Sequence, residues 1–352
     1  MNTTGMLTQD AIRDILEAGV WAPSAENRHA FRYSIEGDDV RLHVDAAFKQ
    51  GSADQQYVTL LSLGAVIENM RIAASVHALS CTVRREGEAI DADIVLHFTP
   101  ASLPADELAA ALKQRHTNRR PFYHGPRLSA AEQGEIEAGI VPLGDQWLVR
   151  WFDEEHGRAR LARLMREAET HRFANAELHQ AMFGGIRFDV GWSAGANEGL
   201  PPAALHIEPG TRAAFAALRR WSFMRTLVRV GAHHAIAMRA SYIPARRSPH
   251  LCVVASRTPV HDADELLQAG CAMERVWLAA TRLNLAVQPM AAAVALARPG
   301  RSALTAQQRE SLVAGWRALL PDAQPVMIFR FGRAAPPAVR AGRPLPSSLA
   351  RR

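Results

Sequence analysis

Lysine is almost missing from this 352-residue chain: Lys49 and Lys113 are the only two, so 39 of its 41 basic residues are arginine. Cysteine is equally sparse, and Cys81, Cys252 and Cys271 are far apart and odd in number. That spacing fits neither a disulfide framework nor a zinc site and predicts three buried thiols in a cytoplasmic protein. No run of about 18 uninterrupted apolar residues occurs, which argues against a membrane-spanning helix. Met1 to Asp10 lacks a basic stretch followed by an apolar core, so no secretory signal is visible and no membrane partner is expected. Gly-x-Gly-x-x-Gly does not occur, and neither a Rossmann fingerprint nor a hydrolase elbow is expected. His233-His234 invites a metal reading, but adjacent residues point about 100° apart on a helix. His29 and His179 have no carboxylate at ligand spacing, so no metal site is expected.

What is present looks like an ordinary globular protein, 48% hydrophobic and 22% charged. The length predicts about two domains or two similar lobes. A net charge of +6 resembles a nucleic-acid signature. The arginines nevertheless read as spread along the chain, and with abundant alanine they fit a codon bias; no nucleic-acid partner is expected.

The chain repeats itself. Shifted by 206 residues, Gly64, Glu68, Ala73, Ala74 and Leu79 meet Gly270, Glu274, Ala279, Ala280 and Leu285. Both segments are apolar on nearly every side, as helices buried between other elements are. Leu7-Thr8-Gln9 … Glu17-Ala18-Gly19-Val20 likewise matches Leu128-Ser129-Ala130 … Glu137-Ala138-Gly139-Ile140, with Thr8 and Ser129 as natural N-caps. Short β-favouring runs close each half, at 93–99 and 324–332, and 249–255 supplies another strand. The expectation is an α+β protein of two related halves, 1–112 and 113–352. Each would hold an antiparallel or mixed sheet flanked by helices. Residues 168–243 have no counterpart in the first half and read as an inserted lid, in which Trp221-Ser-Phe223-Met224 would pack. An extended Pro- and Arg-rich tail ends the chain.

Two strings carry chemistry. Arg115-His116-Thr117-Asn118-Arg119 sets two arginine forks four residues apart with a hydroxyl between them, a pattern suited to phosphate. A solvated basic turn is its alternative. Pro23-Ser24-Ala25-Glu26-Asn27 follows the first helix, where an ordinary helix end and turn is the plainer reading.

Arg-x-Thr-x-Arg followed by Pro-Phe, Ala-Pro-Ser-x-x-Asn, the Gln-Ala-Gly-x-Ala-Met-Glu-Arg helix and Gln288-Pro289-Met290 together resemble the FMN-dependent nitroreductase superfamily. The mid-chain Arg-His-Thr-Asn-Arg spelling and the doubled architecture resemble its Acg-like branch of fused proteins. The resemblance implies FMN at the interface of two interlocked halves and NADH or NADPH as electron donor. A nitroaromatic, quinone or related small molecule would be the acceptor. It assigns Arg115, His116, Thr117, Asn118 and Arg119 to the phosphate and ring, with Pro23, Ser24 and Asn27 crossing over from the other half. Gln288, Pro289 and Met290 would bring backbone to the ring, with an ordinary turn at Pro289 as the alternative. Of the tail arginines, Arg343, directly before Pro-Leu, is a better match to a phosphate contact than Arg340. No side chain is assigned as catalytic. Each part occurs in one half only, which implies a single-chain pseudo-dimer, monomeric and with one flavin. Thr117 replaces the usual serine, and Arg28-His29-Ala30 replaces the usual residues after the asparagine. A flavin-sequestering or sensing protein without turnover is the alternative function.

Overall fold

Several helices begin at a side-chain cap that the sequence supplies. The computed structural model describes residues 7–351. The Thr8 hydroxyl accepts from the Ala11 amide ahead of α1 (Gln9–Trp21), and Ser52 forms a capping box with Gln55 ahead of α2 (Ala53–Val76). Both satisfy amides that a first helical turn leaves bare. Strands β1 (Phe31–Glu36) and β2 (Asp39–Val44) lie between these helices, and β3 (Leu79–Arg85) and β4 (Ile94–Pro100) follow them. The four form an antiparallel sheet in the order β1-β2-β4-β3.

The rest of the chain builds a second sheet in the corresponding order. A Ser129–Glu132 capping box starts α3 (Ala130–Ala138), and β5 (Trp147–Trp151) follows. A helical excursion then runs through α4 (Glu155–Ala174), α5 (Ala176–Gly184), α6 (Arg212–Leu218), α7 (Trp221–Arg229), α8 (Ala232–Ala237) and α9 (Ile243–Arg246). The chain returns as β6 (His250–Ser256), α10 (Ala263–Arg282), β7 (Ala286–Met290), α11 (Ala292–Ala295), α12 (Ala306–Leu319) and β8 (Gln324–Gly332), and α13 (Pro346–Leu349) lies in the tail. This sheet is antiparallel with the order β5-β6-β8-β7.

The repeated helices α2 and α10 pack on each other at their matching glycines. A Cβ on Gly64 would overlap the Leu267 carbonyl oxygen and lie 2.8 Å from the Gly270 Cα. A Cβ on Gly270 would overlap the Leu61 carbonyl oxygen and lie 2.9 Å from the Gly64 Cα. Only glycine lets two backbones approach so closely. By length and composition α2 passes as a membrane span, yet 72% of its most apolar window is buried in the protein. One continuous apolar core runs from Leu16 and Leu42 through Leu61 and Trp277 to Phe329.

The excursion has its own small core around Phe173, Phe183, Met224 and Ala237. A π-helical turn at Met238–Tyr242 precedes Pro244, which has no amide to donate and so disfavours the tighter α ladder there. The Trp221–Met224 string divides: Met224 is fully buried, whereas Phe223 is exposed, contrary to the expectation that the whole string packs. Cys81 is also only half-buried, while Cys252 and Cys271 are buried. The ring centres of His233 and His234 lie 4.1 Å apart, with the planes tilted by 36°. After β8 the tail folds back over the first sheet, where the Arg351 amide donates to the Tyr33 carbonyl (2.7 Å).

Candidate functional site

The edge of β7 organises the first string. Thr117 bridges Val287, and the Asn118 amide donates to the Val287 carbonyl at 2.8 Å. Residues 115–119 therefore lie alongside Gln288-Pro289-Met290. That trio is an edge strand rather than a turn, a position where proline's missing N–H costs little.

The second string forms a short 3₁₀ turn, Ala25–Asn27, in which Glu26 (φ 55°) and Asn27 (φ 58°) are both left-handed. Two successive non-glycine residues rarely adopt that conformation without outside support. Asn27 provides the support. Its Nδ2 faces the carbonyls of Gly199 (3.1 Å) and Gly342 (3.3 Å), and its Oδ1 accepts from Arg343 Nη1 at 2.6 Å. One buried asparagine thus ties the turn to the excursion and to the tail.

These pieces wall a cavity of about 1700 Å³. Pro23, Ser24, Asn27, Arg115, His116, Thr117, Arg119, Gln288, Pro289, Met290, Arg340 and Arg343 all line it. Asn118 does not: it is buried behind the wall, where its amide donates to the Ala335 carbonyl and its oxygen accepts from the Arg120 amide. It braces the string instead of facing the cavity. His116 is half-buried, its Nδ1 lies 2.8 Å from the Gln114 carbonyl, and burial lowers its pKa.

The arginines play different parts. Arg115 is buried with Nε 3.0 Å from Glu274 Oε1, Nη2 donating to the Trp21 carbonyl (2.7 Å), and its guanidinium 4.4 Å from the Trp277 ring centre. The guanidinium's one hydrogen bond among the described residues is that from Nη2, and Nε, although close to Glu274, is left without a hydrogen-bond partner. Arg343 has no carboxylate within ion-pairing distance among the described residues, and burial pulls its pKa down to about 9. Arg119 has neither a hydrogen bond nor a carboxylate there, and burial lowers it to about 10. Arg340 also lines the cavity without an acidic partner among the described residues.

Arg330 of β8 was missed by sequence reasoning. Fully buried, it donates from Nε to Gln288 Oε1 (2.8 Å) and packs 4.0 Å from the Tyr123 ring centre, again with no carboxylate among the described residues. Burial lowers it to about 10. The signal was available as a charged residue inside Val326-Met-Ile-Phe-Arg330-Phe, since unpaired arginine is rarely fully buried. A second oversight is Gly191-Trp192-Ser193-Ala194-Gly195, which spells the hydrolase elbow string. No strand leads into it and no helix follows, so it is a turn of the excursion.

Burial pushes the Glu274 carboxyl up from its ordinary 4.5 to about 8, with Arg115 and Arg343 pulling the other way. A carboxyl raised in the folded state binds more protons there than in the unfolded chain, so its stabilising contribution falls as pH rises. The stability advantage of wild type over Glu274→Gln is therefore expected to shrink as pH rises from about 4.5 to about 8. Thermal melts of both proteins across that range check it; a difference that does not move with pH refutes it.

No protein-family model matches the chain. No curated protein matches it either. Among solved structures it is similar to a Bacteroides fragilis nitroreductase with bound FMN (14% identity over 65% of this chain and 89% of that one, TM-score 0.36). It is also similar to the FMN-dependent nitroreductase NfnB of Mycobacterium smegmatis in complex with NADPH (17%, 70% and 97%, TM-score 0.37). An iodotyrosine deiodinase bound to FMN and 3-iodo-L-tyrosine is a third (11%, 67% and 95%, TM-score 0.35). These likenesses are distant.

Proposed function

We propose that the cavity holds FMN and that the protein is an FMN-dependent oxidoreductase. NADH or NADPH would be the donor, and a nitroaromatic, quinone or related small molecule the acceptor. The observation that carries the reading is the charge of the wall: the buried Arg119, Arg330 and Arg343 have no carboxylate within ion-pairing distance among the described residues, and the exposed Arg340 adds to them. Buried cations without counter-charge are costly, and an anionic ligand removes that cost. The residues fit a phosphate on a second count. Ser24 Oγ and Arg343 Nε are buried at the cavity wall with no hydrogen-bond partner.

When bound, FMN would supply hydride and electron transfer between donor and acceptor. The chain's own residues bind and orient it. Ser24 and Arg343 would hold the phosphate, Arg340 would add positive charge, and Thr117, Arg119 and the β7 edge would flank the ring. Arg115 would act mainly through its pair with Glu274, which fixes the start of the string. Apolar residues of the excursion, Phe183, Phe215 and Ile236 among them, line the cavity and would reduce the water around a bound ring. No side chain is assigned as acid or base.

The same reading makes residues 1–112 and 113–352 two fused halves of a pseudo-dimer that needs no second subunit. Identical strand order and the Gly64–Gly270 crossing support it. It also makes the sites unequal. Glu68 is the repeat counterpart of Glu274, but it meets Arg275 (2.7 Å), which also donates to Asp106 (2.8 Å) and to the Gly139 carbonyl. A closed ion network thus stands where a second cofactor site would need free donors.

Absorption spectra of the purified protein, before and after anaerobic NADPH, test the function. A yellow protein with one FMN per chain that bleaches quickly is expected. Colour that persists for many minutes favours the sequestering alternative, and a colourless protein that takes up no FMN refutes the reading.

A further inference from the structure

The positive charge of the chain is concentrated in one stretch. Residues 209–261 hold nine arginines and no aspartate or glutamate; against +6 for the whole chain, the remainder sums to −3. The arginines are therefore not spread evenly, contrary to the sequence reading. Some are used internally: Arg239 pairs with Glu208, Arg246 pairs with Glu155, and Arg212 and Arg219 lie against the rings of Trp192 and Phe188. Arg220, Arg225 and Arg229 are exposed and have no ion-pair partner among the described residues.

These three lie on and beside α7. At 100° per residue, that helix turns Met224 inward and places Phe223 and Val230, seven apart, on one outer face. They are 42% and 73% exposed. Arg229 and Arg225 lie on the other flank of the exposed arc, about 120° and 160° round from Phe223, with Ser222 and Thr226 between. No residue of α7 lines the cavity, although Phe215 of α6 and Ile236 of α8 do. Neither the lid's packing nor the site explains an outer helix that shows water an aromatic ring, a valine and unpaired arginines.

We propose that α7 docks the protein on an anionic lipid surface. Guanidinium groups along one flank of the exposed arc meet lipid phosphates, and Phe223 and Val230 along the other leave water for the acyl boundary. A nucleic-acid backbone would engage the charge but leave Val230 in water. The expectation of no membrane partner rested on spanning segments, and those say nothing of attachment from one side. The inference is independent of what fills the cavity.

Sedimentation with sucrose-loaded vesicles tests it. Full-length protein is expected to bind vesicles containing about one-third phosphatidylglycerol at least about tenfold better than pure phosphatidylcholine, and to release in about 0.5 M salt. Arg225→Glu with Arg229→Glu lowers binding to the phosphatidylcholine level. Phe223→Ser weakens it severalfold without changing the salt dependence. Thermal melts and flavin content control for folding, and Arg225→Gln with Arg229→Gln replaces the charge reversal if that variant is unstable. Equal binding to both vesicle types overturns the proposal. So does anionic binding that ignores Phe223→Ser and is displaced by duplex DNA, which identifies a polyanion site instead.

Discussion

The double variant Arg119→Ala, Arg343→Ala purifies without flavin. A hydrogen bond to a charged group contributes about 1.5–3 kcal/mol, so losing one from each arginine costs about 3–6 kcal/mol. That corresponds to roughly a 10²–10⁴-fold rise in the FMN dissociation constant. The pair is chosen because neither guanidinium has a carboxylate among the described residues. Removing Arg119 strands no buried acid, and the apoprotein is expected to stay within about 0.5 kcal/mol of wild type for that single change. Arg343→Ala also releases Asn27 Oδ1 and loosens the left-handed turn, so its effect on affinity includes a positioning part.

Arg115→Ala makes the instructive contrast. It leaves the Glu274 carboxyl buried beneath the string without its guanidinium neighbour, and stranding a buried polar group costs about 1–3 kcal/mol of stability. Flavin loss in that variant would therefore not separate a ligand contact from a damaged scaffold. Fluorescence titration with FMN, alongside thermal melts of the apoproteins, keeps the two apart. Stoichiometric flavin on the Arg119, Arg343 double variant would sink the site assignment.

Legibility in the sequence followed the range of the interaction. The caps at Thr8 and Ser129 and the strand at 324–332 depend on neighbours a few residues away, and they could be read locally. The glycine pair could be read as well, because a repeat records the same packing constraint twice. Asn27, by contrast, looked like a ligand contact. It lines the cavity, and its amide also faces carbonyls about 170 and 315 residues away in sequence, a role that only the folded excursion and tail reveal. Arg115 lines the cavity as expected, but its contact with Glu274 could not be read locally, because that carboxylate lies on a helix far along the chain. Arg330 was overlooked because strand patterning assigns residues to faces without asking which buried cation lacks a partner.

Gly64→Ala is expected to destabilise the protein by at least about 3–4 kcal/mol, beyond ordinary overpacking. The added carbon would sit inside the contact distance of the Leu267 carbonyl oxygen, which is backbone and cannot rotate away. Relief requires α2 and α10 to separate along a crossing that binds the two sheets into one core. Gly134→Ala serves as the internal control. Gly134 lies within α3 with nothing within 4 Å of its would-be Cβ, so the same substitution there gains about 0.5–1 kcal/mol from helix propensity. Opposite signs for one chemical change separate crossing geometry from any general effect of alanine. Denaturant unfolding of the two variants and wild type measures both. The crossing also sets the site, because Glu274 lies one turn beyond Gly270 and holds Arg115. Gly64→Ala should therefore weaken FMN binding even where the protein remains folded, whereas Gly134→Ala should leave it unchanged. Equal stability of Gly64→Ala and wild type would mean that the two helices do not meet at these glycines.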